Sequence, residues 1–500
     1  MKKIIKDLIK ERNLKIRRKP GFPDIGKRQD CLPFSKGVQK IEKSWYFYDS
    51  KLFTYETDQK IINFGTGNPI DYKAFPYTIK RMKKSINKKM YRYPPAAGDE
   101  KAREKIAEYL KTIGFSEHID YTNIIITCST TQAFYLILKS ILKEYDTIIV
   151  TAPNYGLFTF MPERMNINVE MLELNEKNGY MIDPQKLNEL IINVNKKSQK
   201  KYRNLSYQPR VKAFLNINPH NPLGTVMSKK DIKLLKSIGD VCIKNNIFVI
   251  DDLIYRDLSY DRNELAMPIA AVDNNLFDYS ISMFGLSKSY GMASARAGFV
   301  VANDYVIREM RNNLFYVMDS APYIQSTLLA LSYNNDVQRN KCYNKYFKNI
   351  IKIYMYNREL SIALVEGIDI IQDKCLRSKI KKKVKSIVGR ENLEQILTGI
   401  PYATVKLVPS AGFFLLIDFT EISRYTDIKS EKDLLKYLYV KAGTKFLMGQ
   451  SFSWPNEKEI IARISYSLKD TDIILALSKI NIAIREAIKY ETNRNNSKSK

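Results

Sequence analysis

The sequence predicts an α/β fold, in which a large domain with a mostly parallel, doubly wound sheet is followed by a smaller α+β domain. Three observations favour this fold class. From about residue 100 to 300, short apolar runs alternate with helical patterns, as they do in chains that build parallel sheets. After about residue 345 the alternation gives way to a long helical region. The length of 500 residues also favours two domains over one simple core.

The elements of the large domain follow in chain order. The apolar runs that we interpret as buried strands are NIIIT, TIIVTAP, VKAFLNINP, NIFVID, YSISMFG and AGFVVAN. The patterns with helical spacing are DEKAREKIAEYLKTIGF, TQAFYLILKSILK and SKKDIKLLKSIGDVCIKN. Ligands of such sheets bind beyond the carboxyl ends of the strands, so functional residues are expected in the loops that follow them.

The smaller domain has its own pattern. Its segments are the helical YNKYFKNIIKIYMYNRELSIALVEG, DLLKYLYVKAGTKFL and DIILALSKINIAIREAIKY and the strand-like AGFFLLIDF and ARISYSL. We place the large domain at residues 61–335 and the small domain at 336–490, with a basic insertion at about 371–402. Residues 1–60 are expected to pack with the small domain, and the polar tail at 491–500 is expected to be disordered.

The charge of the chain raises nucleic-acid binding as a function, because 81 basic and 53 acidic residues give a net charge of +28. However, the lysines are spread along the whole chain, and no zinc-finger spacing or RNP motif accompanies them. The densest basic stretches, at 195–210 and 377–390, are typical of solvated surface insertions. We therefore expect no nucleic-acid partner.

Other features narrow the class further. No apolar run approaches the roughly 18 residues of a membrane span, and the basic N-terminus lacks the apolar core of a signal peptide. The five cysteines are scattered and form no metal or disulfide framework, and only two histidines are present. We expect a cytoplasmic protein with no membrane partner, no metal and no histidine-based catalysis.

One lysine stands in an unusual segment, GLSKSYGMASARAG, at residues 285–298. Most lysines lie at the surface, but Lys288 directly follows an apolar strand and is flanked by small residues. Partial burial would lower its pKa and make it a nucleophilic amine suited to a Schiff base. The small neighbours would let a flat ligand approach closely.

Polar residues follow the other strands as well, and each also has an ordinary structural explanation. Asn221 in NPHNPLGT belongs to a turn or directs its amide at a ligand. Asp251 and Asp252 in VIDDLIYRD are structural carboxylates, or one of them holds a heterocyclic nitrogen protonated while Tyr255 reaches the same ring. Tyr155 in APNYG belongs to the core or stacks on a flat ligand.

The segment TCSTTQAF joins a strand to a helix that begins near Thr131. The amides and hydroxyls of such a helix start suit a phosphate, although they also suit an ordinary helix cap. A lysine, a carboxylate, an amide, a phosphate cradle and a stacking ring therefore all follow strands. That combination predicts a pyridoxal 5'-phosphate (PLP) site.

With these residues in place, the chain resembles a class I/II aminotransferase, a family of fold-type-I PLP-dependent enzymes. The resemblance runs from about residue 60 to 485, with the 371–402 region outside it. The pieces that carry it, in family order and at family spacings, are NFGTGNP, YRYPPAAGDEKAREKIAEYL, TCSTTQAF, APNYG, NPHNPLGT, DDLIYRDL, LSKSYGMASARAG, SAGFFLLIDF and ARISYSL. Each piece is weak evidence alone, whereas their joint occurrence is specific.

The resemblance implies a role for each matched residue. Lys288 would form the Schiff base with PLP and act in catalysis together with Asp252 and Tyr255. The residues implied in holding the cofactor are Asp252 at the pyridine nitrogen, Asn221 and Tyr255 at the ring 3-oxygen, Tyr155 on the ring face, Thr130, Thr131, Ser287 and Arg296 at the phosphate, and Tyr93 from a partner subunit. Arg463 would bind the substrate α-carboxylate beside Gly67. The contribution of Tyr93 implies a homodimer.

Four positions depart from the family pattern. Gly285 stands where a phosphate-binding serine is common, and Ser129 where glycine is common. Leu253 replaces the usual glutamate, and Leu223 replaces the threonine of the usual NPTG. The first two departures bear on the phosphate, whereas none of the four removes the lysine, its carboxylate partner or the carboxylate-binding arginine.

The resemblance implies transamination between an α-amino acid and a 2-keto acid through Lys288. The same fold also supports elimination and oxidation, and it includes the 1-aminocyclopropane-1-carboxylate synthase branch, which NPLGT and SAGFFLLIDF also resemble. A PLP-dependent lyase, such a synthase or an amino-acid oxidase therefore remains the alternative. A non-catalytic DNA-binding regulator is disfavoured because the first 60 residues are short and irregular for a winged-helix domain.

Overall fold

The computed structural model describes residues 57–498 except 66, 68, 70, 86, 87 and 340, so the prediction for residues 1–56 lies outside the described residues. The strands are β1 (Ile62–Asn63), β2 (Ile124–Thr127), β3 (Thr147–Ala152), β4 (Asn168–Glu173), β5 (Val211–Ile217), β6 (Phe248–Asp252), β7 (Ser280–Gly285), β8 (Gly298–Val301), β9 (Thr404–Val405), β10 (Phe414–Asp418), β11 (Thr444–Lys445), β12 (Leu447–Met448) and β13 (Ile461–Ser465). The helices are α1 (Pro76–Ser85), α2 (Glu100–Thr112), α3 (Ser129–Ile141), α4 (Leu157–Arg164), α5 (Pro184–Lys201), α6 (Ile232–Lys244), α7 (Asn274–Phe277), α8 (Asp304–Met318), α9 (Tyr323–Ser332), α10 (Asn335–Gln338), α11 (Lys341–Glu366), α12 (Lys374–Val388), α13 (Leu393–Leu397), α14 (Glu431–Ala442) and α15 (Asp470–Lys498).

The large domain is built on a seven-stranded sheet with the order β2-β8-β7-β6-β5-β3-β4. Strands β7, β6, β5, β3 and β4 pair in parallel, and β8 runs antiparallel to both of its neighbours. Every residue of β2, β3, β7 and β8 is buried, as expected for strands with helices on both faces. Because only β8 is reversed, the ends of β2, β3, β5, β6 and β7 and the start of β8 meet at one edge.

All six strands expected from apolar runs in this domain are present, whereas β4 was not expected. Strand β4 lies at the sheet edge, and only one of its six residues is buried. Its sequence NVEMLE is therefore half polar and lacks the continuous apolar run that indicates a buried strand. The antiparallel direction of β8 was not expected either, since an apolar run does not encode strand direction.

The small domain has a four-stranded antiparallel sheet with the order β12-β13-β10-β9. Its two central strands correspond to ARISYSL and AGFFLLIDF. Strand β1 pairs in parallel with β11, so the chain just before the large domain lies against the small one. Residues 57–60 continue this contact, because the Thr57 hydroxyl donates to the Val440 carbonyl at 3.0 Å and Lys479 Nζ donates to Gln59 Oε1 at 2.8 Å.

The basic insertion contains helix α12. Asp373 caps its start by accepting from the amide of Cys375 at 2.8 Å, and Gly389, with φ of 77°, follows its end. Helix α15 runs to Lys498, beyond the residue at which disorder was expected, since no glycine or proline interrupts the polar stretch after 490. Among the described helices, none is long and apolar enough to cross a membrane.

Candidate active site

A cavity of about 430 Å³ lies at the sheet edge where the parallel strands end, between the two domains. We call it the central cavity. Strands β3, β5, β6 and β7 end beside it, and Phe414 of β10 and Arg463 of β13 line it from the small domain. The residues predicted from the sequence that line it are Gly67, Thr130, Thr131, Tyr155, Asn221, Asp252, Tyr255, Ser287, Lys288, Arg296 and Arg463.

Lys288 follows the end of β7 and points into the central cavity. Its Nζ donates a hydrogen bond to the carbonyl of Gly67. Burial lowers the pKa of Lys288 to about 8, and the nearby Arg463 and Arg296 lower it further, whereas Asp252 opposes them. A large fraction of the amine is therefore neutral near pH 8, as nucleophilic and general-base chemistry require.

Asp252 is the last residue of β6 and is only 5% exposed. One of its oxygens accepts from the amide of Ile254 at 3.2 Å. Burial raises its pKa to about 7, against the opposing effects of that amide and of Lys288. A cationic group placed in the cavity beside this carboxylate would stabilise its charged form.

The neighbouring Asp251 faces elsewhere and does not line the cavity. Its oxygens accept from Asn216 Nδ2 at 2.8 Å and from the amide of Ile269 at 2.9 Å. Successive residues of a strand point to opposite faces, which is why only one of the two adjacent carboxylates reaches the cavity. The structure thus separates the two carboxylates that the sequence left as alternatives.

Arg463 is a buried cation with spare hydrogen-bonding capacity. Its Nη1 donates to Asn221 Oδ1 at 3.1 Å, and its Nη2 donates to the carbonyl of Gly65 at 3.0 Å. Its guanidinium lies 4.0 Å from the centre of the Phe414 ring. Its Nε is buried without a hydrogen-bond partner, and no salt bridge joins it to a carboxylate in the described part of the chain. Burial lowers its pKa to about 10, so an anion in the cavity would offset a large desolvation cost.

Tyr255 and Asn221 lie between these charged groups. The Tyr255 ring packs edge-on against Phe413 and Phe414, with ring centres 5.7 Å and 5.9 Å away, which fixes its orientation. Burial raises the pKa of its hydroxyl, so the group stays protonated and able to donate. The Asn221 carbonyl oxygen is used by Arg463, which leaves its amide nitrogen as the donor toward the cavity.

The opposite end of the cavity suits a phosphate. Thr130 and Thr131 belong to the first turn of α3, and no side chain caps the start of this helix. Its first amides therefore remain available to an anion. Ser287 lies nearby, and Arg296, which precedes the reversed strand β8, brings a positive charge to the same edge.

A family model described as aminotransferase class I and II matches residues 59–480, which is most of the chain. The chain belongs to the class I and II aminotransferase family. The predicted resemblance and the predicted aminotransferase function are thereby confirmed at the level of the family. Family membership also makes the protein an enzyme of the PLP-dependent aminotransferase class.

Curated relatives agree with the family. The chain is 26% identical over 430 residues to an aspartate aminotransferase of Pyrococcus horikoshii, covering 85% of this chain and 91% of the relative. It is 26% identical over 399 residues to a tyrosine aminotransferase of Dictyostelium discoideum, covering 80% and 82%. A match to an aromatic-amino-acid aminotransferase of Thermococcus litoralis, 25% identical, covers 50% of this chain and 59% of the relative.

Solved structures share the fold. The aspartate aminotransferase of Thermus thermophilus, solved with maleate, superposes with a TM-score of 0.65 at 18% identity, covering 92% of this chain and all of the other. The aromatic aminotransferase of Pyrococcus horikoshii superposes with a TM-score of 0.65 at 21% identity, covering 87% and 98%. The predicted fold class, the type I fold of PLP-dependent transferases, is confirmed.

Two departures from the family pattern have a structural counterpart. At Gly285, an added Cβ would lie 2.9 Å from Ile254 Cδ1 and 3.3 Å from Thr130 Cγ2, so side chains fill the space that a serine would need. Ser129 has φ of 86°, in the left-handed region that favours glycine. The other two departures, Leu223 and Leu253, are each 2% exposed and pack in the hydrophobic cores.

Some cavity residues were missed by sequence reasoning. Phe414 lies beneath the Arg463 guanidinium, and Ile254 fills the space beside Gly285. Strand alternation in SAGFFLLIDF separates Phe414 from its neighbour Phe413, but it does not tell which face meets the cavity. Tyr93 does not line the cavity and is 87% exposed in the single chain, so its predicted role stays a prediction that requires a second subunit.

Proposed function

We propose that the protein transfers an amino group between an α-amino acid and a 2-keto acid, with PLP as its cofactor and Lys288 as the residue that attaches it. One observation carries the proposal. A lysine with a lowered pKa, a buried carboxylate and a buried arginine with a spare donor line one cavity, and these are Lys288, Asp252 and Arg463.

The residues of the central cavity fit the cofactor. The cationic side chains Lys288, Arg296 and Arg463 outnumber the single carboxylate Asp252 among the predicted site residues that line it. This excess suits a ligand pair that carries both a phosphate and a carboxylate. The charged partner that Asp252 requires corresponds to a protonated ring nitrogen, and the uncapped start of α3 corresponds to the phosphate.

We assign the remaining contacts in the same way. Asn221 and Tyr255 donate to the ring 3-oxygen, and Tyr155 packs against the ring face. The residues that we assign to the phosphate are Thr130, Thr131, Ser287 and Arg296. When bound, PLP supplies an aldehyde carbon for the substrate amine and an electron sink for the charge left on the α-carbon.

The protein's own residues bind and orient the substrate. Arg463 accepts the α-carboxylate through its guanidinium, held in place by Asn221, Gly65 and the Phe414 ring. Gly67 lines the same side, where an added Cβ would lie 3.2 Å from Phe414 and 3.5 Å from Lys288 Nζ. The neutral Lys288 Nζ then removes the α-proton as a general base and holds it for return.

The experiment that tests this proposal follows the mass balance of the reaction. The PLP-loaded protein, given an amino acid alone, should form at most one 2-keto acid per site, and addition of a second 2-keto acid should release the corresponding new amino acid. Continuous release of ammonia, peroxide or thiol without an acceptor would instead assign the protein to the lyases or oxidases.

We also propose that the protein is a homodimer in which Tyr93 reaches the phosphate bound by the partner subunit. Exposed aromatic residues support it, since Tyr91, Tyr93 and Tyr316 are 84%, 87% and 86% exposed in the single chain. Tyr93→Phe should weaken PLP retention roughly tenfold, and Tyr91→Phe is the control. A monomer by light scattering, or equal retention in both variants, would contradict it.

We propose a cytoplasmic location and only small acids and a second copy of the chain as partners. The scattered, odd-numbered cysteines support a reducing compartment. Fractionation of cells that express the full chain with a C-terminal tag would test the location.

A further inference from the structure

The basic insertion forms one wall of a second cavity. This cavity, of about 660 Å³, lies between helices α11 and α12 and is closed at one end by the residues that precede α15. We call it the lysine groove, because it is lined by Lys352, Lys379, Lys382, Lys383 and Lys469 together with Tyr356 and a few neutral or acidic neighbours. It shares no lining residue with the central cavity.

The lysines reach the groove because of helical periodicity. Lys379, Lys382 and Lys383 recur at the i, i+3 and i+4 positions of α12 and therefore share one face of the helix. Ile380 and Val384 of the same helix are buried and fix its rotation against the small domain. Other lysines of α12 follow the same helix without lining the groove.

The charge of the groove is largely uncompensated in the described part of the chain. Lys383 Nζ pairs with Asp470 at 2.9 Å. Lys379 Nζ lies 4.4 Å from the centre of the Tyr356 ring, a contact that leaves its charge in place. Lys352, Lys382 and Lys469 form no salt bridge with a described carboxylate. Like charges one turn apart on a helix repel each other, so an anion would relieve a real cost.

The base of the groove is held by hydrogen bonds between the two domains. The Tyr72 hydroxyl donates to the carbonyl of Leu468 at 2.8 Å and accepts from Asn357 Nδ2 at 3.0 Å. Asn357 Nδ2 also donates to the carbonyl of Tyr466 at 2.9 Å. The groove is therefore concave and firmly supported, and its volume falls within the range of small-molecule sites.

We propose that the lysine groove binds a small anion that carries several phosphates. Lysines from α11, from α12 and from the start of α15 converge on it, and an ammonium group binds phosphate as a point charge without a fixed geometry. A nucleoside triphosphate and an inorganic polyphosphate share this chemistry. The ring of Tyr356 beside the lysines provides a stacking surface that only the nucleotide uses.

The test is calorimetric titration of the full-length, PLP-loaded protein with ATP and, separately, with inorganic tripolyphosphate at fixed ionic strength. Loading with PLP keeps the phosphate probes out of the central cavity. The double variant Lys379→Ala/Lys382→Ala should bind roughly tenfold more weakly, and Lys381→Ala/Lys385→Ala, with the same charge change on the same helix, should bind as the parent does. Neither Lys381 nor Lys385 lines the groove.

Each outcome decides. Equal binding of the two probes identifies phosphates alone as the recognised feature, whereas tighter binding of ATP that Tyr356→Ala abolishes identifies the nucleotide. Equal weakening by the two double variants would overturn the proposal, because it would reflect general attraction to a chain of net charge +28. Absence of saturable binding, or displacement of either probe by short duplex DNA, would overturn it as well.

Discussion

The central cavity and the lysine groove both gather cations, but they differ in how much water reaches those cations. In the central cavity, burial lowers the pKa of Lys288 to about 8 and that of Arg463 to about 10. In the groove, Lys352, Lys379 and Lys382 are exposed on two helix surfaces. The same residue type therefore serves as a nucleophile and base in one site and as a plain positive charge in the other.

The source of the residues differs in the same way. The central cavity is assembled from loops that follow strands far apart in the chain, and rigid strands hold each side chain in place. The groove is built from faces of helices, one of which belongs to the insertion. Burial and strand-end support together indicate chemistry, whereas exposure and helical spacing indicate electrostatic binding.

The largest effect should come from removing the two lysines that stand for the two sites. Lys288→Ala should reduce transamination by at least about 10³-fold, because both the attachment point of PLP and the general base are lost. Lys379→Ala should leave transamination unchanged. Steady-state rates of both variants check this, together with borohydride reduction and mass spectrometry of the peptide that carries PLP. Label on another lysine of the parent would assign the role elsewhere.

Arg463 provides the second test of the contrast. Arg463→Lys keeps the charge but loses the planar fork, so kcat/KM for amino acids should fall about 10²-fold. The slow reaction of an amine that lacks a carboxylate should change little in the same variant. A parallel loss for both substrates would mean that Arg463 supports the structure of the cavity and not the binding of the carboxylate.

The pH dependence should follow the lowered pKa of Lys288. Protonation removes the nucleophile, so the rate of PLP capture by cofactor-free protein should rise with pH and level off above about 8. Well below that value the rate should fall roughly tenfold per pH unit. Because Asp252 raises this pKa and Arg463 lowers it, Asp252→Asn should move the midpoint down and Arg463→Gln should move it up. Absorbance-monitored capture between pH 7 and 9.5 measures the midpoint, and identical midpoints in all three proteins would exclude this electrostatic coupling.

Salt should separate the two sites most gently. Raising the ionic strength from 0.1 to 1 M shortens the Debye length from about 10 Å to about 3 Å. Binding of tripolyphosphate to the exposed lysine groove should weaken severalfold, whereas KM for an amino acid bound by the buried Arg463 should change less than about twofold. Titration calorimetry and steady-state kinetics at both salt concentrations provide the comparison. Similar salt sensitivity at both sites would show that water reaches Arg463.

Sequence reasoning recovered the parts of the molecule that have a strong local signal. Continuous apolar runs predicted the buried strands of the large sheet, whereas the half-polar edge strand β4 and the reversed direction of β8 carry no such signal. Lys288 and Arg463 were singled out by motif order, and the structure brings both to one cavity. Phe414 and Ile254 could not be predicted, because their roles depend on packing across separate strands and loops.

The sequence by itself determined the fold class, the family and the set of polar residues at strand ends, because periodicity and motif order are written along the chain. Only the tertiary structure decided that Asp252 and not Asp251 reaches the cavity, that Ile254 fills the space beside Gly285, and that scattered lysines line one groove. Those outcomes depend on which surfaces meet in space. Burial follows from that meeting, and burial is what sets the charge state and the chemistry of each side chain.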